Sequence, residues 1–227
     1  HRDLHSFPTR RSSDLHQRAL AVVAVVWGDD DPAHGITTAA MLEWLMRGRG
    51  SLESMVWNDL YADGFPNEAS PGYSSAVSHK VWEIARILER CGHDLFESPR
   101  FLATAQVWLD LTLCGRQQPA IGDYGSIMGG CRAGWDIEVL RRAWERHRLP
   151  RLAKAVMSMG NPAPGLYDPD LRAAIAASAA AHPGPVVAGT RNLSQFGCAL
   201  LESPHTGAPR GLSLYYGSAA GGHGHYD

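Results

Sequence analysis

Two histidines stand two apart in the glycine-rich run Gly221-Gly222-His223-Gly224-His225-Tyr226-Asp227, directly after an apolar, strand-like stretch, Leu212 to Tyr216. Along an extended strand, residues i and i+2 share a face, so both imidazoles would project together from a backbone carrying little bulk. That pattern suits a base beside a metal ligand, or two metal ligands. A second chemically equipped stretch is Asp63-Gly64-Phe65-Pro66-Asn67-Glu68-Ala69-Ser70-Pro71-Gly72-Tyr73. It sets a carboxylate, an amide and a phenol just ahead of a helical pattern. Tyr73 reads there either as a packing residue or as a phenol available for proton transfer, and Glu68 and Ser70 also fit as cap residues of the next helix. A third polar stretch, Gly122-Asp123-Tyr124-Gly125-Ser126, has the composition of a turn.

The elements that must position these groups follow from hydrophobic periodicity. From His16 to about His182 the pattern is helical. Val77, Val81, Ile84, Ala85 and Leu88 form a stripe at helical spacing, predicting an amphipathic helix over 74–90. Leu102, Ala105, Trp108 and Leu109 do the same within 99–113, and Ile137, Leu140, Ala143 and Trp144 mark another helix. Asp168 or Asp170 is placed to cap an alanine-rich helix, Leu171 to Ala181. Earlier helices are predicted over 17–28, 35–47 and 51–60. Gly and Pro punctuate between them, so the connections are short and successive helices are expected to form antiparallel hairpins. The pattern changes at His182-Pro183-Gly184-Pro185, which reads as a linker. Short β-rich runs follow at Val186 to Ala188, Phe196 to Glu202 and Leu212 to Tyr216. An all-α region followed by the opening strands of a β region is the simplest architecture.

Composition excludes several classes. A net charge of −2 offers no basic excess for nucleic acid. The longest strongly apolar run, Ala19 to Trp27, falls far short of the ~20 residues a membrane helix needs. Cys91, Cys114, Cys131 and Cys198 are scattered without a CxxC pair, so a zinc knuckle is not expected and a buried free thiol is the default for each. At the other end, residues 1–15 read HRDLHSFPTRRSSDL, and Leu4 to Leu15 looks like the in-frame translation of a sequencing-adaptor oligonucleotide. These residues are set aside as an expected artefactual tail.

Taken together, the 63–73 loop, the Pro119-Ala120-Ile121-Gly122-Asp123 loop and the terminal GGHGHYD resemble the heparinase II/III-like polysaccharide lyases. The resemblance covers essentially all of 16–227. It implies an α+β, multidomain fold: an incomplete (α/α) toroid over 16–182, then the first strands of an antiparallel β-sandwich over 183–227, truncated where the chain stops. It implies a periplasmic or secreted enzyme that cleaves an acidic, uronic-acid-containing polysaccharide by β-elimination. Carried over residue by residue, Tyr73 matches the catalytic tyrosine, His223 the sandwich histidine and His225 a ligand of a structural zinc. His16, 57 positions before Tyr73, matches the histidine that neutralises the substrate carboxylate. The asparagine that the pattern sets before it is Leu15 in this chain. Asn67, Glu68, Asp123 and Tyr124 would line the substrate cleft.

The chemistry asks for these residue types. The C5 proton of a uronate is weakly acidic, because its removal leaves a carbanion stabilised only by the adjacent carboxylate. Preorganised donors must first neutralise that carboxylate. A base then takes the proton and an acid protonates the departing glycosidic oxygen. A free tyrosine titrates near ~10, so Tyr73 suits the acid role toward an alkoxide and would also serve as base in a syn elimination. His223 would serve as base where the geometry is anti. Two other readings stand beside this one. An inverting glycoside hydrolase on the same toroid would need two carboxylic acids flanking the bond; Asp63, Glu68 and Asp123 are candidates, but the His-Gly-His pair is left unused. A non-catalytic glycan-binding relative would use His223 and His225 only to hold a metal. A truncated sandwich would also leave strand edges unpaired and one sheet face unburied.

Overall fold

The computed structural model describes residues 18–26, 31–47, 51–53, 58–68, 70–122, 131–132, 135–159, 170–187, 189–203 and 209–217. It is an α+β structure. The helices among the described residues are α1 (18–26), α2 (Thr38–Arg47), α3 (Pro71–Glu89), α4 (Pro99–Asp110), α5 (Ile137–His147), α6 (Pro150–Ser158) and α7 (Leu171–Ala180). A two-stranded antiparallel pair joins β1 (Gln117–Gln118) to β2 (Cys131–Arg132). Beyond α7, β3 (Arg191–Leu193), β4 (Cys198–Ser203) and β5 (Arg210–Tyr215) form an antiparallel sheet in that order. No helix among the described residues is long and apolar enough to cross a membrane.

The helix expected over 74–90 begins three residues earlier, at Pro71. Pro71 occupies the first turn, where its missing N–H and fixed φ do no harm. Val81, Ile84, Ala85 and Leu88 are buried as the stripe predicts, and Ser74 and Ser78 continue it toward the N-terminus. Those hydroxyls sit in a tryptophan-rich core for a reason. The indole N–H of Trp108 donates to Ser78 Oγ at 3.3 Å and that of Trp82 donates to Thr104 Oγ1 at 2.8 Å, a reciprocal pair between α3 and α4. Trp135 and Trp144 are satisfied in the same way by Thr112 and Ser178, each at 2.8 Å. A buried donor left unmade would cost roughly 1–3 kcal/mol, so the small hydroxyl residues are what permit four large rings in one core.

Consecutive helices pack on one another: α4 on α5, α5 on α6 and α6 on α7. Asp136 caps α5, its Oδ1 accepting from the N–H groups of Glu138 and Val139 at 2.9 and 3.0 Å. Asp170 occupies the cap position of α7 without making such a bond, and Asp168 lies outside the described residues. The periodicity did not separate α6 from α5. Arg148 in the left-handed conformation (φ 52°) and Pro150 at the next N-terminus divide them. Of the helix expected over 51–60, residues 52, 53 and 58 are helical and 59–60 are not, with 54–57 outside the described residues.

The β region corrects one expectation. Val186 and Val187 are not a strand. Their stretch is held by long side chains from α6: Arg151 Nε donates to Val186 O at 2.8 Å, and Lys154 Nζ donates to the carbonyls of His182 and Gly184. Val187 itself enters the core. The other two expected strands are present, and a short β3 precedes them.

One apolar cluster runs from α1 and α2 through α7 and on to Leu193, Phe196, Cys198 and Leu200 of the sheet. Arg191 ties the layers further. Its Nε donates to Asp110 O at 2.8 Å and its Nη2 to Thr112 O at 2.6 Å and to Glu202 Oε1 at 3.0 Å. Glu202 Oε1 also accepts the Cys114 N–H at 2.6 Å. Burial opposes ionisation of Glu202, but the Arg191 and Cys114 hydrogen bonds outweigh it and hold its carboxyl below the usual range. Cys198 is a buried free thiol, its pKa pushed up to about 11 by burial, whereas Cys91 and Cys114 are free and half-exposed. The opposite sheet face is open: Leu201, Leu212 and Leu214 are all exposed, with Leu201 paired across from Leu212.

Candidate functional site

The stretch leading to Tyr73 is a closed turn, and its sequence explains why. Leu60 and Pro66 form a bridge. Within it Tyr61 N donates to Phe65 O at 2.8 Å and Gly64 N to Tyr61 O at 2.9 Å. Gly64 has φ 89°, which a side chain would strain. Asp63 Oδ1 accepts the Phe65 N–H at 3.3 Å, the usual way an aspartate closes such a turn. Outside the turn, Arg100 Nη2 donates to Leu60 O at 3.0 Å and Ser74 Oγ to Pro66 O at 3.3 Å, so both α3 and α4 grip the loop. Asn67 N donates to Asp59 O at 2.9 Å, and its side-chain Nδ2 lies 3.5 Å from Asn58 O. Asn67 and Glu68 are half-exposed. Tyr73 is the third residue of α3 and is 37% exposed. The loop therefore delivers a solvent-facing phenol on the first turn of a 19-residue helix, next to the positive end of that helix's dipole.

The same loop is fastened to the sheet. Asp63 Oδ2 accepts the backbone N–H groups of Gln195 and Phe196, at 3.2 and 2.9 Å, in the turn between β3 and β4. Below this contact the Phe65 ring stacks on Phe196 with centroids 3.8 Å apart and lies 5.2 Å from Trp108. Phe196 in turn meets Tyr215 of β5 at 5.3 Å. The turn then touches the far end of β5. Gly197, at φ 81°, lies so close to Gly217 that a Cβ on either would strike the other's turn, and Tyr216 N donates to Gly197 O at 2.7 Å. Gly217 is the last described residue before the His-Gly-His run, and His223 follows it by six positions.

Of the residues singled out from the sequence, Asn67, Glu68 and Tyr73 thus share one loop and helix start. That loop abuts the strand end from which the chain continues toward His223 and His225. His16, Asp123, Tyr124, His223 and His225 lie outside the described residues, as does the stretch 123–126 around the third polar loop. Tyr61 and Tyr215 are the two phenols flanking Phe196. Burial, and then the charge of Asp63, raises the pKa of Tyr61; burial raises that of Tyr215. Tyr216 is exposed, but its hydroxyl donates to Asn192 Oδ1 at 2.5 Å.

No family model matches the chain, and neither a curated protein nor a solved structure does. Among the described residues no group of three or more His, Cys, Asp or Glu side chains could hold a metal ion.

Asp63 is the residue whose role the sequence did not disclose. The Asp63-Gly64 pair announces a turn and nothing more. Its partners lie 132 and 133 positions away, a separation that no local pattern reports.

Proposed function

We propose that this chain carries the tyrosine side of a polysaccharide lyase site, acting on a uronic-acid-containing polymer by β-elimination. One observation supports the reading above the others. The Tyr73 loop and the strand end that leads to His-Gly-His belong to widely separated parts of the chain, yet Asp63, the Phe65–Phe196 stack and the Gly197–Gly217 approach bring them into contact. A β-elimination needs such a meeting of an acid and a base across one bond. In this reading the consecutively packed helices are an incomplete (α/α) toroid, and the three-stranded sheet opens a β-sandwich. The resemblance to heparinase II/III-like lyases, carried by the 63–73 and GGHGHYD motifs, is the family proposed.

Tyr73 is the acid that protonates the departing glycosidic oxygen, and the base as well when elimination is syn. Its place in the first turn of α3 suits it, because negative charge developing there meets the helix dipole's positive end. His223 is the base for anti elimination. His16 holds the substrate carboxylate, with Asn67, Glu68, Asp123 and Tyr124 along the cleft. His225 is the residue proposed to hold a structural zinc, which stiffens the site and supplies no step of the reaction.

The hydrolase alternative is disfavoured by the geometry of Asp63. Both of its oxygens are occupied by backbone N–H groups within the protein, so it is committed to holding the fold and is not placed to flank a scissile bond as one of the two acids that mechanism needs. The test is ultraviolet absorbance at unsaturated uronate ends when the protein, expressed from its complete reading frame, meets polyuronate substrates. Free reducing ends without that chromophore would indicate hydrolysis instead.

A further inference from the structure

We infer that Asp63 is a positioning residue, which sets the distance between the Tyr73 loop and Gly217 at the end of β5; its catalytic consequence rests on the lyase reading above. Its carboxylate is the polar pin of a three-part joint. Oδ1 closes the loop that runs into α3, and Oδ2 takes the two adjacent N–H groups of Gln195 and Phe196. These donors are turn amides with no strand partner, so without Asp63 they turn to water and the β3–β4 turn loses its polar hold on the helical layer. That turn governs where β5 ends. Tyr216 N donates to Gly197 O at 2.7 Å, and the backbones of Gly197 and Gly217 meet where neither tolerates a Cβ. Moving the turn therefore moves Gly217. On the other side the loop passes through Pro66, whose carbonyl accepts from Ser74 of α3. One carboxylate thus links the loop that leads to Tyr73 with the turn against which Gly217 packs.

The joint also has an apolar part, the Phe65–Phe196 stack, which does not depend on the carboxylate. Loss of the pin should loosen the joint without unfolding the protein.

The experiment compares Asp63→Ala and Asp63→Asn in the protein from its complete reading frame, by steady-state kinetics on a polyuronate and by amide hydrogen exchange. Asp63→Ala should lower kcat on the order of 100-fold, as a misplacement of about 1 Å would, with KM little changed. Asp63→Asn keeps one oxygen for the Gln195 and Phe196 N–H groups and should recover kcat to within about tenfold of the original. In Asp63→Ala the amides of Phe196 and Tyr216 should lose protection together while those within α3 and α4 keep theirs. Unchanged kcat, or unchanged protection at Phe196 and Tyr216, would overturn the inference. So would a fall in protection throughout the helices, since that marks a purely structural role. If the unsubstituted protein makes no unsaturated ends, the lyase reading fails and the catalytic half of this inference goes with it. The exchange arm then still decides whether Asp63 pins the turn.

Discussion

Gly64→Ala offers the sharpest physical test of the loop. Two separate penalties act at this position. The first is conformational: φ is 89°, and an L side chain in left-handed space costs roughly 1–2 kcal/mol. The second is steric. A Cβ on Gly64 would fall against the carbonyl carbon and oxygen of Ala103 and 2.7 Å from Thr104 N. These are backbone atoms in the middle of α4, so they cannot swing away as a side chain would. The loop must lift from the helix, which weakens the Phe65 stack and the Asp63 bonds, and overpacking of this kind costs roughly 1–3 kcal/mol. Together the loss should be about 2–5 kcal/mol, a large part of the ~5–15 kcal/mol that holds a typical domain together. Gly92→Ala is the matched control. Its φ is 83°, nearly the same, but nothing lies within 4 Å of the added Cβ. Urea melts of the two variants should therefore differ by about 1–3 kcal/mol, with Gly64→Ala the less stable. Equal melts would refute the claim that the loop is seated on α4 at backbone contact.

Three further outcomes follow. Ser70 stands at the cap position of α3, where serine-to-alanine changes ordinarily cost ~1 kcal/mol. Here it makes no capping bond, it is fully buried, and its Oγ has no hydrogen-bond partner among the described residues. Ser70→Ala should be neutral or stabilising in a thermal melt, and a loss of 1 kcal/mol or more (about the ordinary cap value) would contradict this. The His79 Nδ1–Asp136 Oδ2 pair, at 2.9 Å, gives stability a pH dependence. The hydrogen bond that His79 donates to Asp136 raises the pKa of His79 above its ordinary 6.5. For Asp136, burial pulls upward, but the His79 and helix N–H bonds prevail and lower its pKa below 3.8. The His79 contribution is thus complete below its unfolded pKa of 6.5 and is lost as pH rises through the higher folded value. The Asp136 contribution is complete above 3.8 and is lost as pH falls through the lower folded value. His79 is half-exposed, so the effect should stay under about 1 kcal/mol. His79→Gln should flatten the decline of stability from pH 6.5 upward, and an unaltered profile in denaturant melts would count against the pair. Asp63→Ala, described above, should separate kcat from KM.

How much was legible beforehand varied with the range of the interaction. The stripe of Val81, Ile84, Ala85 and Leu88 reports a local periodicity, and it became the buried face of α3. The strands near Phe196–Glu202 and Leu212–Tyr216 were equally readable, because short β-rich runs bounded by turn residues are a local signal too. At Val186 and Val187 the expected strand is absent, and the carbonyl of Val186 is claimed by Arg151, 35 residues earlier. The division between α5 and α6 is made by left-handed Arg148 together with Pro150 at the next helix start, and the left-handed turn at an arginine has no sequence signal of its own. At the candidate site, residue types placed Tyr73 at a helix start. They did not reveal that Asp63 reaches across to Phe196, or that Gly197 and Gly217 meet, since both are tertiary contacts without a local signature.

The measurement that bears most directly on the central claim is a comparison of the unsubstituted protein with Tyr73→Phe, using ultraviolet absorbance of unsaturated uronate ends on polyuronate substrates. The substitution removes only the hydroxyl of an exposed side chain, so a cooperative melt in both proteins would establish that the fold survives. The account predicts that the chromophore develops with the unsubstituted protein and that Tyr73→Phe abolishes it. Full activity in Tyr73→Phe, or reducing ends released without the chromophore, would contradict the account.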